Sequence, residues 1–237
     1  MSTFLAICKN TSRECRIAGG DSVPTAVTGQ TGVLDQIVNH VIQSWTKIQE
    51  KYQDWRWMRA GFTLSATSGD GVYAYTDCTD IITSAAIARF SHWLLNDPED
   101  QPKIYLTSDG VGTEGWLRWV EWNDFKRIYR VGTQSNAYPA HISVNPENNL
   151  VLGPVPNGTY TVSGDFQRGP QILAADADEP DMPARYHDLI MWEAVKRHSM
   201  LNNKPELLAQ ARSAAAPMMQ ALELNQRQPI KTAGPMV

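Results

Sequence analysis

The sequence predicts an α+β protein: a helical bundle from the N- and C-terminal helices, with a central antiparallel β-sandwich or barrel-like insertion. Three observations carry this. Apolar residues recur at helical spacing over 32–59 and again beyond 183. Between about 60 and 172 lie short segments rich in β-branched and aromatic residues, separated by Gly, Pro and Asn. The bulk figures are 237 residues, 42% hydrophobic and 19% charged, which is ordinary globular composition with ample length for a core. The expected divisions are 1–60 and 173–224 as the two parts of the bundle, 61–172 as the β-rich domain, and 225–237 as an extended tail.

A short helix is expected over 2–17, followed by the loop "GGDSVPTAVTGQTG" (19–32). In 32–59, Leu34, Val38, Val41, Trp45, Ile48, Tyr52 and Trp55 recur at alternating steps of four and three. That is one apolar stripe on a helix about 42 Å long, a rod that must pack along several neighbours. "FTLSA", "GVYAYT", "ARFSHWLL", "KIYLTS", "WLRWV", "AHISV", "NLVLGPV" and "TYTVSGDF" read as strands, and "EWNDFKRIYR" (121–130) as an inserted helical turn. A helix over 183–202 is apolar over a wide arc (Tyr186, Leu189, Ile190, Trp192, Val195), so it should be buried on more than one side. A last helix begins at Pro205, a good first-turn position. Its stripe is Leu208, Ala211, Ala215, Met218 and Leu222, and Pro217 inside it should kink it. The tail 225–237 has no period and two prolines, and is expected to be disordered alone.

Lys and Arg number 21 against 25 Asp and Glu, a net charge of −4, and no basic run exceeds two residues. Nothing resembles a phosphate-gripping tract. Cys8, Cys15 and Cys78 have no CxxC spacing and cannot all pair, which suits a reducing compartment. The N-terminus lacks the basic and apolar regions of a signal peptide, and no apolar run approaches the ~20 residues of a membrane span. A cytosolic, soluble product is expected.

Four acids, Asp176, Asp178, Glu179 and Asp181, crowd ahead of an apolar run. A calcium loop starting at Asp176 would need Gly at its sixth position and Glu at its twelfth; Asp181 and His187 stand there. The acids are therefore read as the start of a helix, with Pro183 just inside it. "GVGTEG" (110–115) matches a dinucleotide fingerprint in letters only, since no acid lies between 125 and 146; a flexible hairpin loop is the better reading. There is no GxSxG, HExxH or P-loop. His40, His92, His141, His187 and His198 are scattered, and His187 and His198 on one helix face lack a third ligand. No catalytic, cofactor-binding or metal residue is expected. Eight tryptophans are a high count. Trp55 and Trp57, two apart on a helix, cannot share a face, so Trp57 either sits in a wide core or anchors a subunit contact. "WLRWVEW", with Trp119 and Trp122, has the same ambiguity.

At this point the residues resemble a known family. "VTGQTGVLDQIVNHVIQSWTKIQEKYQDWRWMRAGFTL" resembles the N-terminal segment of the head-to-tail adaptor proteins of tailed bacteriophages, where a TGQ-type loop precedes a long helix ending in W-x-[FW]-[ML]-R. "NLVLGPVPNGTYTVSGDFQRGPQILAADADEPDMPARYHDLIMWEAV" is similar to that family's P-x-P strand, R-x-P strand end, D-x-P-x-[IM]-P segment and "YHDLI"-like helix. The two stretches cover about two thirds of the chain. Residues 76–115 match less well, and "DGVGTEG" maps to no family feature.

The resemblance implies a structural virion protein at the capsid–tail junction, assembled in the bacterial host cytoplasm. It implies a ring, usually of twelve copies, beneath the portal, which extends the DNA channel without sequence-specific binding and docks tail nozzle or tube proteins. No cofactor, membrane or catalytic site belongs to that role. Interface residues expected are Trp57, Arg59, Trp119, Trp122 and, in the tail, Gln228, Pro229, Ile230 and Lys231. Two alternatives stay open: a tail-completion protein stacking on a tube, and a nucleotide-binding enzyme resting on Gly110, Gly112 and Gly115.

Overall fold

The computed structural model describes residues 2–16, 23–97 and 101–226. Two helices come first, α1 (Phe4–Glu14) and α2 (Gly32–Glu50). Strands follow: β1 (Arg59–Ala66), β2 (Val72–Tyr73), β3 (Cys78–Asp80), β4 (Ala85–Ala86), β5 (His92–Leu94) and β6 (Lys103–Leu106). After β7 (Gly115–Trp116) and β8 (Arg118–Trp119) comes α3 (Trp122–Tyr129). Three more strands, β9 (His141–Val144), β10 (Leu150–Gly153) and β11 (Tyr160–Gln167), precede α4 (His187–Leu201) and α5 (Pro205–Gln226). The α+β class expected from the sequence is the class observed. The chain divides into two compact units, one of residues 1–58 with 170–237 and one of 59–169.

The first unit is helical. Thr3 caps α1, its Oγ1 accepting from Ala6 N at 3.3 Å, and α1 turns Phe4, Ile7 and Cys8 inward. On α2, Ile37, Val38, Val41, Trp45 and Ile48 are buried, the expected stripe shifted slightly by Ile37. α4 is the hub: it packs against α1, α2 and α5, and Leu189, Ile190, Ala194 and Val195 are fully enclosed. A helix packed by three others keeps only a narrow polar strip, where Glu193 pairs with Lys196, hence its wide apolar arc. α5 contributes Ala211, Ala215 and Leu222 to the same core and continues through Pro217 to Gln226.

The long helix expected over 32–59 ends at Glu50. Nineteen residues make it about 28 Å long. The cause is Trp55: its ring is fully buried, and its indole N–H donates to Ile48 O at 3.1 Å, a carbonyl that also accepts from Lys51 N. The side chain thus adds a second donor to a carbonyl of the last helical turn, and a 3-10 turn over Arg56–Met58 leads into β1. Tyr52 packs on Trp55 edge-to-face at 5.0 Å. A helix and a turn that folds aromatics back both satisfy the same apolar period.

The second unit is β-rich. Among the described residues, seven strands form one sheet, ordered β4-β3-β1-β11-β6-β7 with β5 also on β11, and four form another, β2-β10-β9-β8. β1 and β11 pair antiparallel along their whole length, from Arg59↔Gln167 to Ala66↔Tyr160. All pairings are antiparallel except β8–β9 and an isolated bridge between Ala137 and Pro156. β1 alternates inward Ala60, Phe62, Leu64 and Ala66 with outward neighbours, as a half-buried strand should. One core takes Phe62, Ile104, Val162 and Phe166 from the first sheet and Ile142, Leu150 and Leu152 from the second.

β3 and β4 lie in "CTDIITSAA", a stretch not expected to be strand. Its inward residues are Cys78 and Asp80, so the apolar alternation is broken by a carboxylate. That carboxylate is paired: Arg168 Nη2 donates to Asp80 Oδ2 at 2.9 Å. The inserted helical turn expected in 121–130 is α3. It sits directly on β10, where a Cβ at Gly153 would lie 2.5 Å from the Tyr129 ring. Only glycine allows that approach.

Candidate functional site

The crowded acids brace a loop. Asp178 Oδ2 accepts from Ala174 N at 2.7 Å and Ala175 N at 2.8 Å; the bonds from Ala175 and Ala174 hold this carboxyl below its ordinary value. Asp176 Oδ1 accepts from Val27 N at 2.7 Å. The main-chain carbonyls of Asp178 and Asp176 accept from Phe4 N and Leu5 N, at 2.7 and 3.2 Å, so the loop caps the first turn of α1. The expectation that these acids start the helix following them is corrected. α4 begins after a 3-10 turn, and its N-cap, Tyr186, makes no side-chain cap bond. Among the described residues no group of three or more His, Cys, Asp or Glu is placed to hold a metal ion.

The histidines of α4 serve separate partners. His187 Nδ1 accepts from Ser2 N at 3.3 Å, which leaves Nε2–H to donate to Met182 O at 2.9 Å. His198 lies buried against His40 of α2, ring centroids 5.9 Å apart. The glycine-rich "GVGTEG" connects β6 to its antiparallel neighbour β7. A 3-10 turn over Val111–Thr113 fills it, and Gly110 has φ of 71°, backbone that favours glycine. No helix follows, so the phosphate-cradling arrangement of a dinucleotide site is missing there. The cysteines are buried, and burial first of all pushes each thiol up to about 12; none is a reactive thiolate.

The tryptophans are arranged differently from the helical argument. Trp55 and Trp57 stack on each other, centroids 4.2 Å apart and planes 27° apart. They lie beyond the end of α2, so helical facing does not apply to them. Trp57 is half-buried, and its indole N–H is shielded from solvent without an acceptor among the described residues. Arg59, on β1, donates to Asp165 at 2.6 Å across the β1–β11 pair. Trp119 packs on the β core. Trp122 stacks on Phe125 within α3, with Lys126 and Arg130 over its ring at 5.7 and 5.6 Å. Gln228, Pro229, Ile230 and Lys231, with most of the tail, lie outside the described residues; Asn225 and Gln226, read as tail, belong to α5.

The most exposed tryptophan is Trp116, at 59%, which sequence reasoning did not single out. Leu117 beside it is buried, so the alternation in "WLR" turns Trp116 outward; that signal was present. Lys103 Nζ sits over its ring at 5.2 Å and pairs with Glu114 at 3.0 Å. Two further features of the β-rich unit were also missed. Ile81 and Ile82, 54% and 67% exposed, form the tip between β3 and β4. An open, mostly apolar cavity of about 310 Å³ lies between α3 and β10. Surfaces of this kind can take protein side chains.

Compared with known proteins, residues 3–236 match the model of a family described as SU10 adaptor protein. No curated protein matches the chain.

Proposed function

The chain belongs to the SU10 adaptor family of phage adaptor proteins, and from that premise we propose that it is a structural virion protein whose copies form a ring beneath the portal. The ring extends the DNA channel and gives the tail its docking surface. The observation that carries this reading is the family match over nearly the whole chain. The physical features support it. Ile81, Ile82, Trp116 and Val131 of the β-rich unit remain more than half exposed, apolar side chains that subunit contacts could cover. A net charge of −4 offers DNA no counterion-releasing wall, as suits a conduit from which DNA must leave. The role is structural, with no catalytic step.

Within this reading the proposed contact residues are Trp57, Arg59, Trp119 and Trp122, together with Gln228, Pro229, Ile230 and Lys231 of the tail, which docks on the portal. The free subunit is monomeric and the portal surface templates the ring. The test is electron microscopy of the protein mixed with portal and, separately, with tail tube. Rings on the portal are expected. Decoration of the tube alone would replace this reading with a tail-completion role.

A further inference from the structure

Asparagine precedes glycine at one place in the sequence, Asn157–Gly158, in the turn that leads into β11. Glycine has no Cβ to crowd its own amide nitrogen, so that nitrogen can approach the side-chain carbonyl carbon of the residue before it. The fold leaves the nitrogen free and sets a donor on the carbonyl. Asn157 is exposed and Gly158 half-buried. Gly158 N donates to no acceptor among the described residues, whereas Asn157 N is held by Ala137 O at 3.2 Å. Tyr160 is buried and its ring lies back along the turn. A Cβ at Gly158 would sit 3.6 and 3.8 Å from the Tyr160 Cε2 and Cζ, and the Tyr160 hydroxyl donates to Asn157 Oδ1 at 2.6 Å.

We infer that Asn157–Gly158 is a self-modification site, where the Asn157 amide converts to a carboxylate without an enzyme and with help from Tyr160. Gly158 N gives its proton to solvent base and bonds to Asn157 Cγ, an attack within the chain that needs no second molecule to be brought up. Negative charge gathers on Oδ1, where the Tyr160 hydroxyl already donates. The Cγ–Nδ2 bond breaks, ammonia leaves, and a cyclic succinimide remains. Water then opens the ring at Cγ to give aspartate, or at the main-chain carbonyl carbon of residue 157 to give isoaspartate. One water enters and one ammonia departs, with nothing oxidised or reduced. Both products carry a new negative charge. Isoaspartate also lengthens the main chain between Pro156, whose O accepts from Gly69 N at 2.9 Å, and Thr159, whose O accepts from Thr107 N at 3.1 Å.

The site does not depend on the ring reading. Its test is peptide mapping by mass spectrometry of the full chain aged in mildly alkaline buffer, with isoaspartate methyltransferase labelling to identify the second product. The fragment holding residue 157 is expected to gain the acid ahead of Asn123 and Asn136, which are followed by larger residues, and Asn157→Gln should gain none there. Tyr160→Phe, which keeps the buried ring and is checked for an unchanged melt, is expected to convert several-fold more slowly than wild type. In urea, where the donor is no longer held in place, the two should convert alike. A residue 157 that stays an amide as long as Asn123 and Asn136 overturns the site. Folded Tyr160→Phe converting as fast as wild type, or a difference that persists in urea, overturns the part given to Tyr160.

Discussion

His40 is buried on α2 with both ring nitrogens lacking a partner among the described residues, and His198 of α4 meets it edge-on. The groups facing the pair are cationic or neutral: Arg197, Lys204 and Asn202. Burial, then Arg197, pushes His40 below its ordinary 6.5; burial, then Lys204 and His40, does the same to His198. Below pH 6.5 the unfolded chain takes up protons that the folded chain refuses. The pair's contribution is therefore intact above pH 6.5 and declines as pH falls through the lowered folded values. Thermal melts between about pH 7.5 and 5.5 should show a shallower acid loss for His40→Phe than for wild type; identical slopes would contradict this. Arg168 offers a second residue-level test. Replacing it with Met leaves the buried Asp80 carboxylate without its counter-ion, with only the bonds from Ile82 N and Thr83 N, which should cost about 3 kcal/mol in urea unfolding. A loss below about 1 kcal/mol would mean the pair is solvated like a surface one.

At the scale of elements, α3 is seated on β10 by the missing Cβ of Gly153. Gly153→Ala should force the Tyr129 ring aside, lower stability by about 1–3 kcal/mol and speed amide exchange in α3; unchanged exchange would show that α3 is held elsewhere. Elements also show where sequence was readable. α4 and α5 were legible because apolar spacing, Pro205 and a polar break at "NNK" agree. The end of α2 was not, because Tyr52 and Trp55 keep the helical period while folding back as a turn. β3 was hidden by Asp80, whose burial makes sense only with Arg168, 88 residues away. The acidic loop read correctly as an end signal but for the wrong helix, since it caps α1 from more than 170 residues downstream. Long-range pairings like these leave no periodic trace.

At the scale of the whole molecule, the chain belongs to a family of phage adaptor proteins, and the proposed ring is the reading to be tested. The most direct test is single-particle mass measurement at low concentration, with and without portal. The account predicts a monomer of 26.4 kDa alone and a portal complex heavier by a whole, fixed number of subunits. A portal whose mass is unchanged by the protein would contradict it.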